Sequence, residues 1–167
     1  KLIIRPDGSV LWKAVRLSYP HLFEMWAKNA KDKPRYSARG LADKDTHAAE
    51  IKAFRKYMDG LQEEEFKGKL KKADLFFRDG ADDNKPESEN AWVIAASESK
   101  KQNAPALRDK RNQEVEVDDG TFYAGCYVNM LVSPWFQKNE HGKKINANLL
   151  AVQFVRDGEA FSTVSRP

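Results

Sequence analysis

Two short segments set cationic side chains beside aromatic rings, and a third is basic alone. Sequence-tolerant binding of unpaired nucleic acid needs that combination, because cations follow phosphates and flat rings stack on exposed bases. In the first, Lys31, Lys33, Arg35 and Arg39 surround Tyr36. The second joins Phe77 and Arg78 to Trp92, and the third is the basic run Lys100, Lys101, Arg108, Lys110 and Arg111. The expected phosphate contacts are therefore Lys33, Arg35, Arg39, Arg78 and those five basic residues, and the expected stacking rings are Tyr36, Phe77 and Trp92. Against this stands the ordinary fate of both types: charged runs solvate a face, and rings fill cores. Trp12, Trp26 and Trp135 are read in that ordinary way, as core or rim residues.

The other reactive arrangement is Glu98-Ser99-Lys100 with Asp79, Asp82 and Asp83 upstream. Two carboxylates holding Mg²⁺ and a lysine near the attacking water would suit a metal-dependent nuclease or resolvase centred on Glu98 and Lys100. Such a short motif arises easily by chance in a chain with 32% charged residues, and here Glu98 is expected on a loop surface. The run Glu63-Glu64-Glu65 reads as a solvated helix face. Cys126, the single cysteine, allows no internal disulfide and suits a small buried hydrophobe better than a nucleophile. His21, His47 and His141 lack zinc-site spacing, and no glycine-rich phosphate loop is present. No catalytic residue, metal or cofactor is expected.

The elements that would position these residues follow from periodicity. Residues 10–17 read as one strand and residues 35–39 as a second. In the second strand Tyr36 and Ala38 share one side, while Arg35, Ser37 and Arg39 share the other, so a DNA-facing cationic side would turn Tyr36 inward. Residues 45–58 read as a helix capped by Asp45 and ending before Gly60, with Ile51, Phe54, Tyr57 and Met58 on one stripe. A second short helix is expected over 61–72. Residues 82–90 read as an exposed loop, 92–97 as an apolar strand and 98–112 as a long loop or mobile hairpin. Residues 122–136 and 145–155 form the clearest hairpin, around the turn-forming Asn139, Glu140, His141 and Gly142. These elements make a mainly β fold with an inserted helix: an OB-like five-stranded β-barrel, spanning residues 1–167 as one domain.

The formal charge of +4 is only mildly basic, but it is unevenly spread. Residues 1–44 hold ten Lys and Arg against four Asp and Glu, net +6; the remainder holds nineteen against twenty-one, net −2. No apolar run approaches the roughly twenty residues that span a bilayer, and no signal-peptide core opens the chain, so no membrane partner is expected.

Several blocks in order resemble the phage single-stranded DNA-binding protein family with an OB fold. They are residues 15–24 (with Tyr19-Pro20-His21), Arg35-Tyr36-Ser37, Phe77-Arg78-Asp79-Gly80, residues 123–129 (with Gly125-Cys126-Tyr127) and residues 152–159 (with Arg156-Asp157-Gly158). The resemblance implies a nonenzymatic protein of phage DNA replication and recombination, working in the cytoplasm of an infected bacterium. Its partner would be single-stranded DNA, bound with little sequence preference, and the cations would lend duplex DNA some affinity as well. Related phage proteins commonly contact replication proteins through an acidic tail. This sequence reaches Ser165-Arg166-Pro167 without an acidic run, so tail-borne contacts are expected only from residues outside it. A replisome protein-interaction module is the remaining alternative.

Overall fold

Alternation of apolar and polar residues builds the strands, and the places where it breaks decide the shape. The computed structural model describes residues 2–161. Its elements run β1 (Ile3–Ile4), β2 (Val10–Trp26), β3 (Arg35–Asp43), α1 (Ala48–Phe66), β4 (Phe77–Asp79), β5 (Ala91–Glu98), β6 (Ala106–Arg108), β7 (Tyr127–Asn139) and β8 (Gly142–Arg156). Five strands close the expected OB-like barrel. β5, β3, β2, β7 and β8 pair in that order, all antiparallel, and β8 returns to β5 through a parallel pair, Ser97 with Asn148. The segment before β4 supports this closure, with the Phe76 N–H donating to the Ile145 carbonyl at 3.0 Å. Val10, Trp12, Val15, Leu17, Val128, Met130, Val132, Ile145 and Leu149 point inward and are fully buried.

β2 extends well beyond the expected residues 10–17 because its register slips along the way. It slips between Trp12 and Val15 against β7, and between Ser18 and His21 and again between His21 and Trp26 against β3. A non-glycine residue with positive φ sits at each of the first two slips, Ala14 at 55° and Tyr19 at 47°. The Asn129 side chain accepts the Ala14 N–H at 3.0 Å. An extra residue bends a strand and re-aims its side chains, so the alternation that marks residues 10–17 changes phase just where the strand continues. β3 likewise runs on to Asp43.

One helix replaces the two expected. Ile51, Phe54, Met58 and Gln62 form a continuous buried stripe, and its burial outweighs the ~1 kcal/mol that an exposed glycine such as Gly60 costs a helix. Asp45 is not the cap. The N-cap is His47, whose side chain makes no capping bond to the helix, while Asp43 accepts the Asp45 and Thr46 N–H groups at 2.8 and 3.0 Å. Phe54 drives the helix onto one side of the core, edge-on to Trp12 and Phe77 with ring centroids 5.4 and 4.9 Å away.

Residues 82–90 form short 3₁₀ turns packed over Gly80, where an added Cβ would lie 2.1 Å from the Ser88 carbonyl oxygen. The region expected as a loop or mobile hairpin contains β6, an edge strand parallel to β8 with Leu107 opposite Val152. The final hairpin forms as expected, with Glu140 and His141 as its turn and Gly142 at φ 114°. Phe122 precedes β7 and is buried. Among the described residues no helix is long and apolar enough to cross a membrane.

Candidate nucleic-acid interface

The second half of β2, the start of β3, the end of β5 and the β7–β8 hairpin line an open groove of about 660 Å³. Three large rings lie in it exposed: Tyr19 (49%), Trp26 (49%) and Trp135 (40%). The β2 bulge at Tyr19 turns that ring outward. A left-handed conformation costs a non-glycine residue about 1–3 kcal/mol, and such strain tends to collect at functional sites. The Lys85 ammonium lies 4.3 Å from the Tyr19 ring centre and donates to its hydroxyl at 3.2 Å. Trp26, opposite Arg35 at the end of β2, stacks parallel to His21 at 4.3 Å. Burial pushes the His21 imidazole below its ordinary pKa, favouring its neutral form. Trp135 stands opposite Asn146 on the outer face of the β7–β8 hairpin.

The cations Lys28, Arg35, Arg39, Arg78, Lys85 and Lys144 share this lining with a single acid, Asp74, so the groove favours a polyanion. Arg39 is partly committed: it pairs with Asp83 at 2.5 Å, leaves its buried Nε without a partner, and holds its guanidinium 5.6 Å from the Tyr19 ring centre. Arg78 donates to the Leu75 carbonyl at 3.1 Å.

Of the residues expected from sequence, Arg35, Arg39 and Arg78 come together here. Lys33 is exposed just before β3, outside the lining. Tyr36 and Phe77 must be corrected from stacking rings to buried ones, at 6% and 3% exposure. Tyr36 obeys the strand alternation that turns Arg35 and Arg39 outward. Phe77 lies between Trp12, Phe54 and Trp92, and neither ring offers a free face to a base. Trp92 is half-buried between Phe77 and the Arg55 guanidinium of α1, away from the groove. Lys100 and Lys101 are exposed beyond β5, Arg108 belongs to β6, and Lys110 and Arg111 line a separate hollow with Phe154 and Asp157. None of these five lines the groove, because the edge strand β6 carries their segment to another part of the barrel.

Trp26 and Trp135 correct in the opposite sense, from core or rim to exposed groove residues. One signal could have found Trp135: Ser133, Trp135 and Gln137 share a strand face, and a ring between two polar residues points outward. Tyr19 gave no such signal, since the bulge that exposes it interrupts the period.

The acids of the nuclease-like arrangement are dispersed. Glu98 is the buried last residue of β5 rather than a loop-surface residue, and accepts the Lys100 N–H at 2.9 Å. Asp79 pairs with Lys44 at 2.7 Å and Asp82 with Lys72 at 3.8 Å. Among the described residues no group of three or more His, Cys, Asp or Glu is placed to hold a metal ion. Cys126 is fully buried, and burial pushes its thiol pKa up.

Comparison with known proteins converges on one family. Residues 8–167 match the family model described as Enterobacter phage Enc34, ssDNA-binding protein. The structure of the single-stranded DNA-binding protein from bacteriophage Enc34 in complex with ssDNA superimposes with a TM-score of 0.85 at 34% identity, covering 96% of this chain and 93% of that one. Protein p50 of Acyrthosiphon pisum secondary endosymbiont phage 1 is 32% identical over 157 residues, 89% of this chain and 83% of that protein. The T7 single-stranded DNA-binding protein gp2.5 shares the fold alone, at 12% identity and a TM-score of 0.61.

Proposed function

The chain belongs to the Enc34 phage ssDNA-binding protein family, and we propose that it holds unpaired DNA in the groove of Tyr19, Trp26 and Trp135. One observation carries the assignment to this groove: three large rings stand exposed side by side with six cations. A ring left in water forgoes about 1.5–3 kcal/mol of burial, and stacking on a base recovers part of it. Bases lie on the rings while Lys28, Arg35, Arg78, Lys85 and Lys144 follow the phosphates. Every base has a flat face, so this mode tolerates any sequence.

In this reading the protein is one OB domain that coats and protects single strands during phage DNA replication and recombination in the infected host, and it makes or breaks no bond in them. Duplex DNA would meet the same cations but offer its bases to none of the rings, so its binding is weaker. Contacts with replication proteins through an acidic tail would need residues beyond Pro167.

Incubation with labelled oligothymidine and Mg²⁺, followed by photocrosslinking, tests the reading. Retained, intact strand crosslinked to Trp26 or Trp135 is expected. Cleavage of the strand, or crosslinks confined to residues 100–111, would overturn it.

A further inference from the structure

The outer face of the β7–β8 hairpin places four groove residues of complementary chemistry in one compact patch. Trp135 is opposite Asn146, and Gln137 is opposite Lys144. Directly opposite residues of an antiparallel pair share a face with Cβ atoms about 5 Å apart, and residues two along a strand repeat on that face after about 7 Å. A base lying on Trp135 would therefore bring its edge against the two amides, with Lys144 within reach of its phosphate.

The amides are already joined. Asn146 Nδ2 donates to Gln137 Oε1 at 3.2 Å. Among the described residues nothing donates to Asn146 Oδ1, and Gln137 Nε2 makes only a long bond, 3.4 Å, to Asn139 Oδ1. The pair thus presents one acceptor and one donor side by side. A half-turn of both amide groups gives up the long Gln137–Asn139 bond but keeps the bond between the pair, now from Gln137 Nε2 to Asn146 Oδ1, and reverses the outward order of donor and acceptor. The Watson–Crick edges of the bases fall into the same two classes. Cytosine and adenine offer an amino donor beside a ring-nitrogen acceptor; thymine and guanine offer a carbonyl acceptor beside a ring N–H donor.

Resting on the groove reading above, the geometry points to Gln137 and Asn146 as a reversible base-edge reader: a subsite that hydrogen-bonds the base stacked on Trp135 whichever base it is. It demands a hydrogen-bonding edge without choosing among the four. Sequence tolerance here comes from an amide pair that can present either order of donor and acceptor, as well as from stacking.

The test compares oligothymidine with the same oligomer carrying 2,4-difluorotoluene in place of thymine, a ring of matching shape that stacks but lacks the normal hydrogen-bonding edge. The wild-type protein is expected to bind oligothymidine about 5- to 10-fold more tightly, the worth of one or two net hydrogen bonds. The double variant Gln137→Met, Asn146→Ala is expected to bind both oligomers alike, and to lose affinity for oligothymidine and oligocytidine by the same factor. Tight but equal wild-type binding of the two oligomers overturns the reader while leaving the groove intact, and it does so even if the variant does not fold. Discrimination that persists in the variant, or unequal losses for thymidine and cytidine, overturns it too. If instead Trp135→Ala leaves oligothymidine affinity unchanged, the groove reading itself fails.

Discussion

Two sets of aromatic residues serve the same barrel in opposite ways. Trp12, Phe54, Phe77 and Trp92 cover one another: Trp12 stacks on Phe77 at 5.6 Å, Phe54 meets both edge-on, and Trp92 is closed in by Phe77 and Arg55. The rings of Tyr19, Trp26 and Trp135 instead stand 40–49% exposed, with His21 beside Trp26 and with Lys85 and Arg39 beside Tyr19. Residue type does not separate the sets, since both hold tryptophan and both draw rings from the strands of the barrel. What separates them is α1, which supplies Phe54 to one set and nothing to the other. An aromatic residue near positive charge is thus a binding candidate only where no packed element has already used its faces.

The sharpest way to break this contrast is to truncate one member of each set. Phe77→Ala is expected to cost about 3–5 kcal/mol of folding stability, seen by denaturant unfolding, with unchanged affinity in the folded fraction. Trp26→Ala and Trp135→Ala are each expected to cost about 1–3 kcal/mol of binding to oligothymidine, with stability altered by less than ~0.5 kcal/mol, as usual for exposed positions. The contrast collapses if these patterns are exchanged.

Charge gives a smaller effect. Lys144→Gln is expected to flatten the dependence of log affinity on log salt by about 0.7, one single-strand phosphate contact, whereas Lys110→Gln leaves the slope unchanged. An equal loss of slope in both would put the basic segment after β5 back into the binding path.

The smallest effect is a pH dependence at the edge of the groove. Burial lowers the His21 pKa below the ordinary 6.5, so on acidification the unfolded chain takes up the proton first. The stability associated with neutral His21 is fully present above about pH 6.5 and is lost as pH falls from there towards the folded-state value. Thermal unfolding across pH 5–7.5 should show this loss, and His21→Gln should remove it. A variant with the wild-type pH profile would show that His21 is not the source.

Much of the molecule was legible from local pattern. The β7–β8 hairpin, the helix stripe through Ile51, Phe54 and Met58, and the outward pair Arg35 and Arg39 all follow from periods that hold over their own segments. The same alternation already turned Tyr36 away from the arginines. What stayed hidden depended on breaks in period or on distant contacts. The bulges at Ala14 and Tyr19 concealed half of β2 together with the ring they expose. Phe77 sits beside a cation in sequence, and only the packing of α1 shows that its faces are taken. The basic residues 100–111 were grouped by charge alone, and charge density does not reveal that β6 pairs with β8 away from the groove.

The barrel seam has a consequence for motion. β7 and β8 share thirteen residue pairs, but β8 meets β5 through one, Ser97 with Asn148, helped by the Leu75–Ile145 bridge. Least-bonded regions open most readily in native-state exchange, so the amides flanking this seam should trade hydrogen for deuterium ahead of those in the β7–β8 ladder. Groove residues lie on both banks, Ala95, Ala96 and Ser97 on β5 and Lys144, Asn146 and Ala147 on β8. A strand of DNA lying in the groove would span them as a stitch spans a cut. The oligonucleotide would then slow exchange at the seam more than anywhere else, and the barrel's weakest join would be held shut by its own cargo.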